Sequence, residues 1–396
     1  MNPKVSIVLP NYNGGRYIKE TILSVLNQTY KDFELIIVDD ASTDESREII
    51  ESFLDERIIK HYSKVNRHVA YTTNIGFNMA RGDYIARIDS DDQWEREKLE
   101  KQIEFMESNP KYGACFSKVN IIDEDGKMAN DAHQWVADMF NNVENKTQKE
   151  WLQYFFFTGN CLCNPSALIR RKALDEIGKA YNLSYVPAQD FEMWTRLVVK
   201  YPIYIMNERL VKYRWTTEES KISGSTNGKE YAFLNVQMLV RKNFFDFMSN
   251  EEFVEFFGDH FLNSDSGTKL ELEFEKAHLL EKCAGDNINF LGLEKYEELL
   301  RIPENLKLLE DKFDFSLKKF YQLYRVRNFG MMQDIQKYNL KINELQQELD
   351  QYKSNLANSE RDLKNYVNEL ETLLNSTSWK VTQPLRKISS LIKKKN

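Results

Sequence analysis

Between residues 4 and 100 the chain alternates two hydrophobic rhythms. Short strand-like runs, KVSIVLP (4–10), FELIIVDD (33–40), RIIKHYS (57–63) and DYIARID (83–89), are separated by stretches whose apolar residues recur every third or fourth position. A run without polar alternation, such as Leu35-Ile36-Ile37-Val38, predicts a strand covered on both faces. Tyr17, Ile18, Ile22, Val25 and Leu26 predict a helix after the first run, and Ile49, Ile50 and Phe53 lie in a second. A third helix is predicted over 69–80, and a fourth begins after Trp94. Strands joined by helical crossovers make a parallel sheet between two helical layers, an α/β domain.

Past residue 110 the rhythm loosens. GACFSKVNIID (113–123) and IYIMNERLVKYRW (203–215) predict strands, AQDFEMWTRLVVK (188–200) an amphipathic helix, and the polar stretch 124–150 a long loop. From 229 to 330 the pattern is helical. Then it becomes strict: Ile335, Ile342, Leu349, Leu356, Leu363 and Leu370 recur every seven residues. Each is followed three positions later by Tyr338, Leu345, Tyr352, Ser359, Tyr366 or Leu373. This a/d series has only Ser359 out of place and contains neither Gly nor Pro, so it predicts a coiled coil and with it a homo-oligomer. Two strands are the simplest form, with Tyr at d leaving the number open. The division that follows is 1–228 for the α/β domain, 229–330 for a helical accessory region, 331–375 for the coil and 376–396 for a basic tail.

A net charge of −7 argues against broad binding to nucleic acid. Cys115, Cys161, Cys163 and Cys283 form no zinc pairing or disulfide framework, and read as buried reduced thiols of a cytosolic protein. The apolar run at the start is too short for a signal peptide, and no segment approaches the ~20 apolar residues that span a bilayer. The expected location is cytoplasmic, with room for surface attachment to the inner face of the membrane.

The chemistry gathers at strand ends. In an open parallel sheet, ligands bind outside the carboxyl ends of the strands. Here the first strand ends in LPNYN, the second in Asp39-Asp40 and the fourth in Asp89-Ser90-Asp91-Asp92. One reading of the last is a solvated turn capping the next helix. The matching acidic end on the second strand points instead to a shared crevice. No G-x-G-x-x-G or P-loop pattern occurs, so phosphates here would meet carboxylates and need a divalent cation between them. Oxygen ligands suit Mg²⁺ or Mn²⁺.

The ordered series VSIVLPNYNGGRYIKETILSVLNQTYKDFELIIVDDASTD, NIGFNMARGDYIARIDSDD and QDFEMWTRL resembles the family 2 glycosyltransferases over roughly the first 220 residues. The resemblance implies the GT-A fold, a Rossmann-like, mostly parallel central sheet with helices on both faces, here followed by the helical region and the coiled coil. It implies metal-dependent, inverting transfer of a sugar from a nucleoside-diphosphate donor to a hydroxyl of a glycan or lipid-linked acceptor, as in bacterial surface-polysaccharide synthesis. By that resemblance Pro10 and Tyr12 would line the nucleotide pocket, and Asp40 would accept a hydrogen bond from a pyrimidine imide, which fits a UDP- or dTDP-sugar. Arg67 and Ser90 would lie on the donor side, Asp89 would contact the ribose side and the metal, and Asp91 would hold the metal on the diphosphate. Asp190 would be the catalytic base, with Glu192 the nearby alternative. A helix N-terminus favours an ionised carboxylate, and neutral Gln189 stands where an acidic residue is common, so Asp190 is expected to have a lower pKa than it would with Glu there.

The chain departs from the family pattern at several places. His68 stands where glycine is usual, Thr73 where arginine is common, and Trp215-Thr216 where many relatives carry a histidine after YR. Lys221 is a candidate to close over the diphosphate. The tail SWKVTQPLRKI resembles a segment of bacterial surface-polysaccharide enzymes. Trp379, Val381, Leu385, Ile388, Leu391 and Ile392 give it an apolar stripe among lysines, suited to a membrane interface, though Pro384 interrupts a helix there. Two other readings fit parts of the pattern: a nucleotidyltransferase, which also uses acidic residues and a divalent ion, and a catalytically silent scaffold whose working part is the coil.

Overall fold

A computed structural model describes residues 2–178, 180–216, 227–283, 289–326, 331–377, 380–382 and 386–387. It divides into two compact units, Met1–Leu323 and Tyr324–Asn396.

The first unit is built on one eight-stranded sheet. In chain order its strands are β1 (Val5–Asn11), β2 (Phe33–Asp39), β3 (Ile58–Tyr62), β4 (Tyr84–Arg87), β5 (Gln93–Trp94), β6 (Ala114–Ile122), β7 (Leu168–Arg170) and β8 (Ile203–Arg214). They lie side by side as β3-β2-β1-β4-β7-β6-β8-β5. The four early strands are parallel, as their continuous apolar runs require, with Val5–Asn11 buried along its whole length. The sheet as a whole is mixed but mostly parallel, as expected, with only β5 and β7 running against the other six strands. Three-residue β7 enters antiparallel between β4 and β6, and β5 runs antiparallel to β8, while β6 and β8 are parallel.

Helices cover both faces. On one side α1 (Ile18–Leu26), α2 (Ser46–Ser52), α4 (Lys98–Ser108) and α5 (Gln134–Asn141) pack on Val5, Ile7, Leu9, Leu35 and Ile37. On the other, α3 (His68–Met79), α6 (Gln148–Phe157), α7 (Arg171–Glu176) and α8 (Gln189–Lys200) pack on Val8, Ile36, Val38 and Ile85. The odd and even residues of β1 and β2 therefore belong to different cores, as period-two side-chain alternation dictates. Gly76 of α3 lies so close to Val8 that a Cβ there would collide with its side chain.

Residues 124–150 are not one long loop. They contain α5 and the start of α6, which opens with a capping box in which Thr147 and Glu150 each bond the other's backbone N–H. After β8 the described chain is helical. The elements are α9 (Asn227–Lys242), α10 (Asn250–Phe257), α11 (Lys269–Lys282), α12 (Asn289–Leu300), α13 (Asn305–Phe313) and α14 (Leu317–Val326). Residues of α9 to α12 join the same core as α6 and α8 through Val240, Phe253, Leu279 and Leu291. A smaller cluster around Phe274, Tyr296 and Phe313 ties α11 to α12 and α13.

The second unit is dominated by α15 (Met331–Asn375), a single 45-residue helix. Its heptad residues Ile342, Leu345, Leu349, Leu356, Leu363, Leu370 and Leu373 are at least half exposed. Of the tail residues singled out above, Val381 is exposed, whereas Trp379, Pro384, Leu385, Ile388, Leu391 and Ile392 lie outside the described residues, as does Lys221. Among the described residues no helix is long and apolar enough to cross a membrane.

Candidate active site

The carboxyl ends of β1, β2 and β4 are sewn into one surface by short polar contacts. Buried Asp39 accepts from Asn11 Nδ2 (2.9 Å), Ser42 N (3.1 Å) and Ser42 Oγ (2.5 Å), and Arg47 approaches it at 3.4 Å. Asn13 N donates to Ser42 Oγ and Thr43 N donates to Asn13 Oδ1, so the loops after β1 and β2 hold each other. Gly14 lies against Asn11 and Ser90, whose Oγ would stand 2.8 Å from a Cβ at that glycine; any larger residue would push the first loop off the acidic turn.

Asp40 points across to α3. Its carboxylate accepts the backbone N–H of Arg67 (3.1 and 3.0 Å) and of His68 (2.9 Å), and so caps the helix start. His68 adopts φ +76°, the left-handed region that glycine enters freely, which accounts for glycine as the usual residue at this position. Asn13 (φ 51°) and Ala41 (φ 63°) are also left-handed. Three of the four such non-glycine residues among the described ones thus lie in the loops after β1 and β2 or at the α3 start that Asp40 caps. Tyr12 is half exposed, Pro10 is buried in β1, and Arg67 stacks on Tyr71 and bonds its hydroxyl (2.6 Å).

The acidic turn is sorted by two buried arginines. Arg87, at the end of β4, grips Asp89 with both terminal nitrogens (2.9 and 2.6 Å). Its guanidinium is held charged by Asp89, against the opposing effect of burial. Arg214, at the end of β8, donates from its backbone to Asp92 Oδ1 (2.8 Å). Its guanidinium bonds the carbonyls of Asp91, Asp123 and Glu124, pairs with Glu20 (3.1 Å) and stacks on Tyr17. Asp92 is thereby structural and fully buried, while Asp91 and Asp89 are partly exposed. Neither arginine was singled out by the sequence reading. The legible sign for Arg87 is a charged residue inside a strand that is otherwise apolar.

Asp190 stands in the first turn of α8, 3.4 Å from Asn160 Nδ2. Burial pushes its pKa up to about 6; the Arg87 charge and the backbone N–H groups of the helix start act in the opposite sense, and Asp89 adds like-charge repulsion. Desolvation thus outweighs the helix terminus, which alone would favour the ionised form. Glu192, the alternative base, is buried in a two-pronged pair with Arg196 (2.7 and 2.9 Å) and is committed to the helix. Thr73 is buried, and its hydroxyl has no hydrogen-bond partner among the described residues.

Among the described residues no three His, Cys, Asp or Glu side chains are arranged to hold a metal ion. The donor set is nonetheless of the kind Mg²⁺ and Mn²⁺ accept, one or two hard carboxylates with the remaining positions left to ligand phosphates and water. With Asp89 engaged by Arg87, the fit rests chiefly on Asp91.

Comparison with known proteins agrees with this architecture. The profile of the family described as Glycosyl transferase family 2 matches residues 6–178. The chain is 32% identical over 240 residues to the uncharacterized glycosyltransferase MJ1057 of Methanocaldococcus jannaschii, covering 59% of this chain and 79% of that protein. It is 34% identical over 216 residues to TuaG of Bacillus subtilis, a glycosyltransferase assigned by name to teichuronic acid biosynthesis, covering 54% of this chain and 79% of TuaG. In fold it resembles S. aureus TarS 1-349, solved in complex with UDP-GlcNAc. The TM-score is 0.50 and the identity 18%, over 78% of this chain and 91% of that one. Likeness at this level over most of two relatives shows that the chain belongs to glycosyl transferase family 2 and is a glycosyltransferase.

Proposed function

We propose that the chain transfers a sugar, with inversion, from a UDP- or dTDP-sugar to a hydroxyl of a glycan or lipid-linked acceptor, with Mn²⁺ or Mg²⁺ as cofactor. The observation that carries this reading is the acidic turn at the carboxyl ends of the strands, with Asp89 gripped by Arg87 and Asp91 partly exposed beside it; the Arg87 and Asp89 charges also act on Asp190. These charges join a partly buried carboxylate, its pKa pushed up to about 6, to the acidic turn on which a donor would sit. In the reaction the acceptor oxygen bonds to the anomeric carbon, the bond from that carbon to the diphosphate oxygen breaks, and the acceptor proton passes to an Asp190 carboxylate oxygen. A pKa near 6 leaves Asp190 mostly ionised at neutral pH yet basic enough to take the proton. A divalent ion bound at Asp91 would supply positive charge beside the departing diphosphate.

On the donor side, Tyr12 and Pro10 would meet the base. Asp40, fixed by two backbone N–H groups, would offer its remaining lone pairs to an imide N–H. Arg67 and Ser90 would lie on the donor side, and Arg87 would hold Asp89 aimed at the ribose. The name of TuaG supports a surface glycan as product. Cytoplasmic action against the inner face of the membrane belongs to the same proposal, with the tail as the contact. The exposed heptad stripe of α15 supports self-association.

The test is thermal unfolding with UDP, dTDP, GDP and ADP, each with and without Mn²⁺, on the wild type and Asp91→Asn. A nucleotide at 100 times its dissociation constant stabilises by about 2.7 kcal/mol. Stabilisation by a pyrimidine nucleotide that needs both Mn²⁺ and Asp91 is the expected result. No shift with any nucleotide would refute the donor site.

A further inference from the structure

Where β6 and β8 end side by side, with Ile122 paired to Arg214, a cavity of about 320 Å³ opens. It is lined by Asp123, Glu124, Asp125, His133, Trp215 and Thr216, and none of these has a role above. Its volume is at the small end of ligand pockets, about 300–1,000 Å³. The Arg214 guanidinium touches the carbonyls of Asp91, Asp123 and Glu124 together, so the cavity begins one side chain away from the acidic turn.

Three features define what it would accept. Trp215 of the lining meets Trp135 edge to face at 5.1 Å, and Trp135 is 60% exposed, an aromatic surface continuing from the wall through that contact. The Thr216 hydroxyl is a second and independent sign: the residue is 5% exposed, lines the cavity, and its Oγ1 has no hydrogen-bond partner among the described residues. A buried hydroxyl left so is costly unless a ligand meets it. The third is charge. Glu124 pairs with Arg16 (3.2 Å) and Asp125 with Lys127 (3.2 Å), but the wall itself is carboxylate-rich and repels anions.

Aromatic faces suit the C–H face of a sugar ring, and partly exposed carboxylates with a hydroxyl suit its alcohol groups. We infer that this cavity is a subsite for a neutral pyranose of the acceptor, stacked on the Trp135–Trp215 pair and hydrogen-bonded by Thr216 and the carboxylates, and that it disfavours uronic acids and phosphorylated polyols. The inference rests on the glycosyltransfer reading and adds the acceptor's class to it.

The test uses the full chain labelled with 5-fluorotryptophan, with the Trp135 and Trp215 ¹⁹F resonances assigned through Trp135→Phe and Trp215→Phe. With UDP and Mn²⁺ present, methyl glycosides of glucose and N-acetylglucosamine are titrated beside methyl glucuronide and inorganic phosphate. Neutral glycosides should move both resonances, and the glucuronide should bind about tenfold more weakly or not at all. Trp135→Ala, at an exposed position that leaves the fold intact, should weaken glycoside binding about tenfold, and Thr216→Val severalfold. Neither variant should alter the thermal shift given by UDP. Resonances that no neutral glycoside moves, or that the glucuronide or phosphate moves as well, would overturn the subsite. If UDP stabilises the protein while the glycosides do nothing, this inference fails alone; if the glycosides bind and UDP does not, the donor reading fails and the saccharide subsite stands.

Discussion

The assignment of Asp190 as base makes a pH profile the most informative measurement. Its pKa near 6 means that about 90% of the enzyme carries the ionised carboxylate at pH 7 and about 10% at pH 5. The rate of transfer, followed as nucleoside-diphosphate release with acceptor present and donor saturating, should therefore rise through pH 6 and level off above pH 7. The sign follows from the proton count: the base must be empty, so protonation on the acid side removes activity. Asp190→Asn should lose about 10²- to 10⁴-fold in kcat, the usual contribution of a positioned general base, and should lose the acid limb with it. Two neighbours move the limb in opposite directions. Asp89→Asn deletes a like charge and releases Arg87, so the limb should shift to lower pH; Arg87→Met deletes the opposing charge, so it should shift to higher pH by about one unit. Overall rates fall in both, because both touch the donor turn; the limb's position is the diagnostic. An Asp190→Asn enzyme within a few-fold of wild type, or an acid limb unmoved by either neighbour, would refute the assignment.

Two further perturbations test the scaffold. Lys98 is fully buried, its ammonium 2.6 Å from Gln102 Oε1 and 4.0 Å from the Trp94 ring, and burial pulls its pKa down to about 7 from 10.5. Between those values the unfolded chain binds the extra proton, so stability should rise with pH by up to about 1 kcal/mol per unit in wild type relative to Lys98→Met, measured by denaturant unfolding from pH 7.5 to 10. Parallel pH profiles for the two proteins would contradict it. Leu349→Asp with Leu356→Asp, at two exposed heptad positions, should convert an oligomer to a monomer in equilibrium sedimentation while near-UV circular dichroism of the first unit is unchanged. A wild type that is already monomeric at micromolar concentration would remove the role of the coil.

The first half of the sheet was legible for a physical reason. Strands buried on both faces, as β1, β2 and β4 are, have no polar alternation to confuse with loops, and with half-buried β3 they fall within a residue or two of the runs that announced them. Strand β7 had no such signal. Its three residues, Leu168-Ile169-Arg170, are too few for periodicity and are set antiparallel by partners more than fifty residues away on either side of the sheet. The polar count of 124–150 hid α5 and the start of α6, although the Thr147-x-x-Glu150 capping box and the aromatic run behind it were available as a helix start. At the site, the strand ends indicated which residues come together. They did not indicate what each would feel. The helix N-terminus at Asp190 is local and readable, but the desolvation that outweighs it comes from the packing of side chains distant in sequence.

The same distinction answers the problem posed by Asp89, Asp91 and Asp92. A sequence shows three crowded carboxylates and leaves a helix cap, solvent or a cation as the means of relieving them. The structure holds them differently: a buried guanidinium grips Asp89, a strand-end backbone N–H meets Asp92, and Asp91 lies partly exposed. Arginine at positions 87 and 214 makes this possible, because a planar fork can satisfy two oxygens, or several carbonyls, from inside a sheet where lysine's single ammonium would not. Relief of Asp89 by Arg87 has a consequence for the base. The charge that neutralises Asp89 also lowers the pKa of Asp190, so the acidic turn and the proposed base are electrostatically coupled. A donor or cation arriving at the turn would then be felt at Asp190 before any acceptor reaches it.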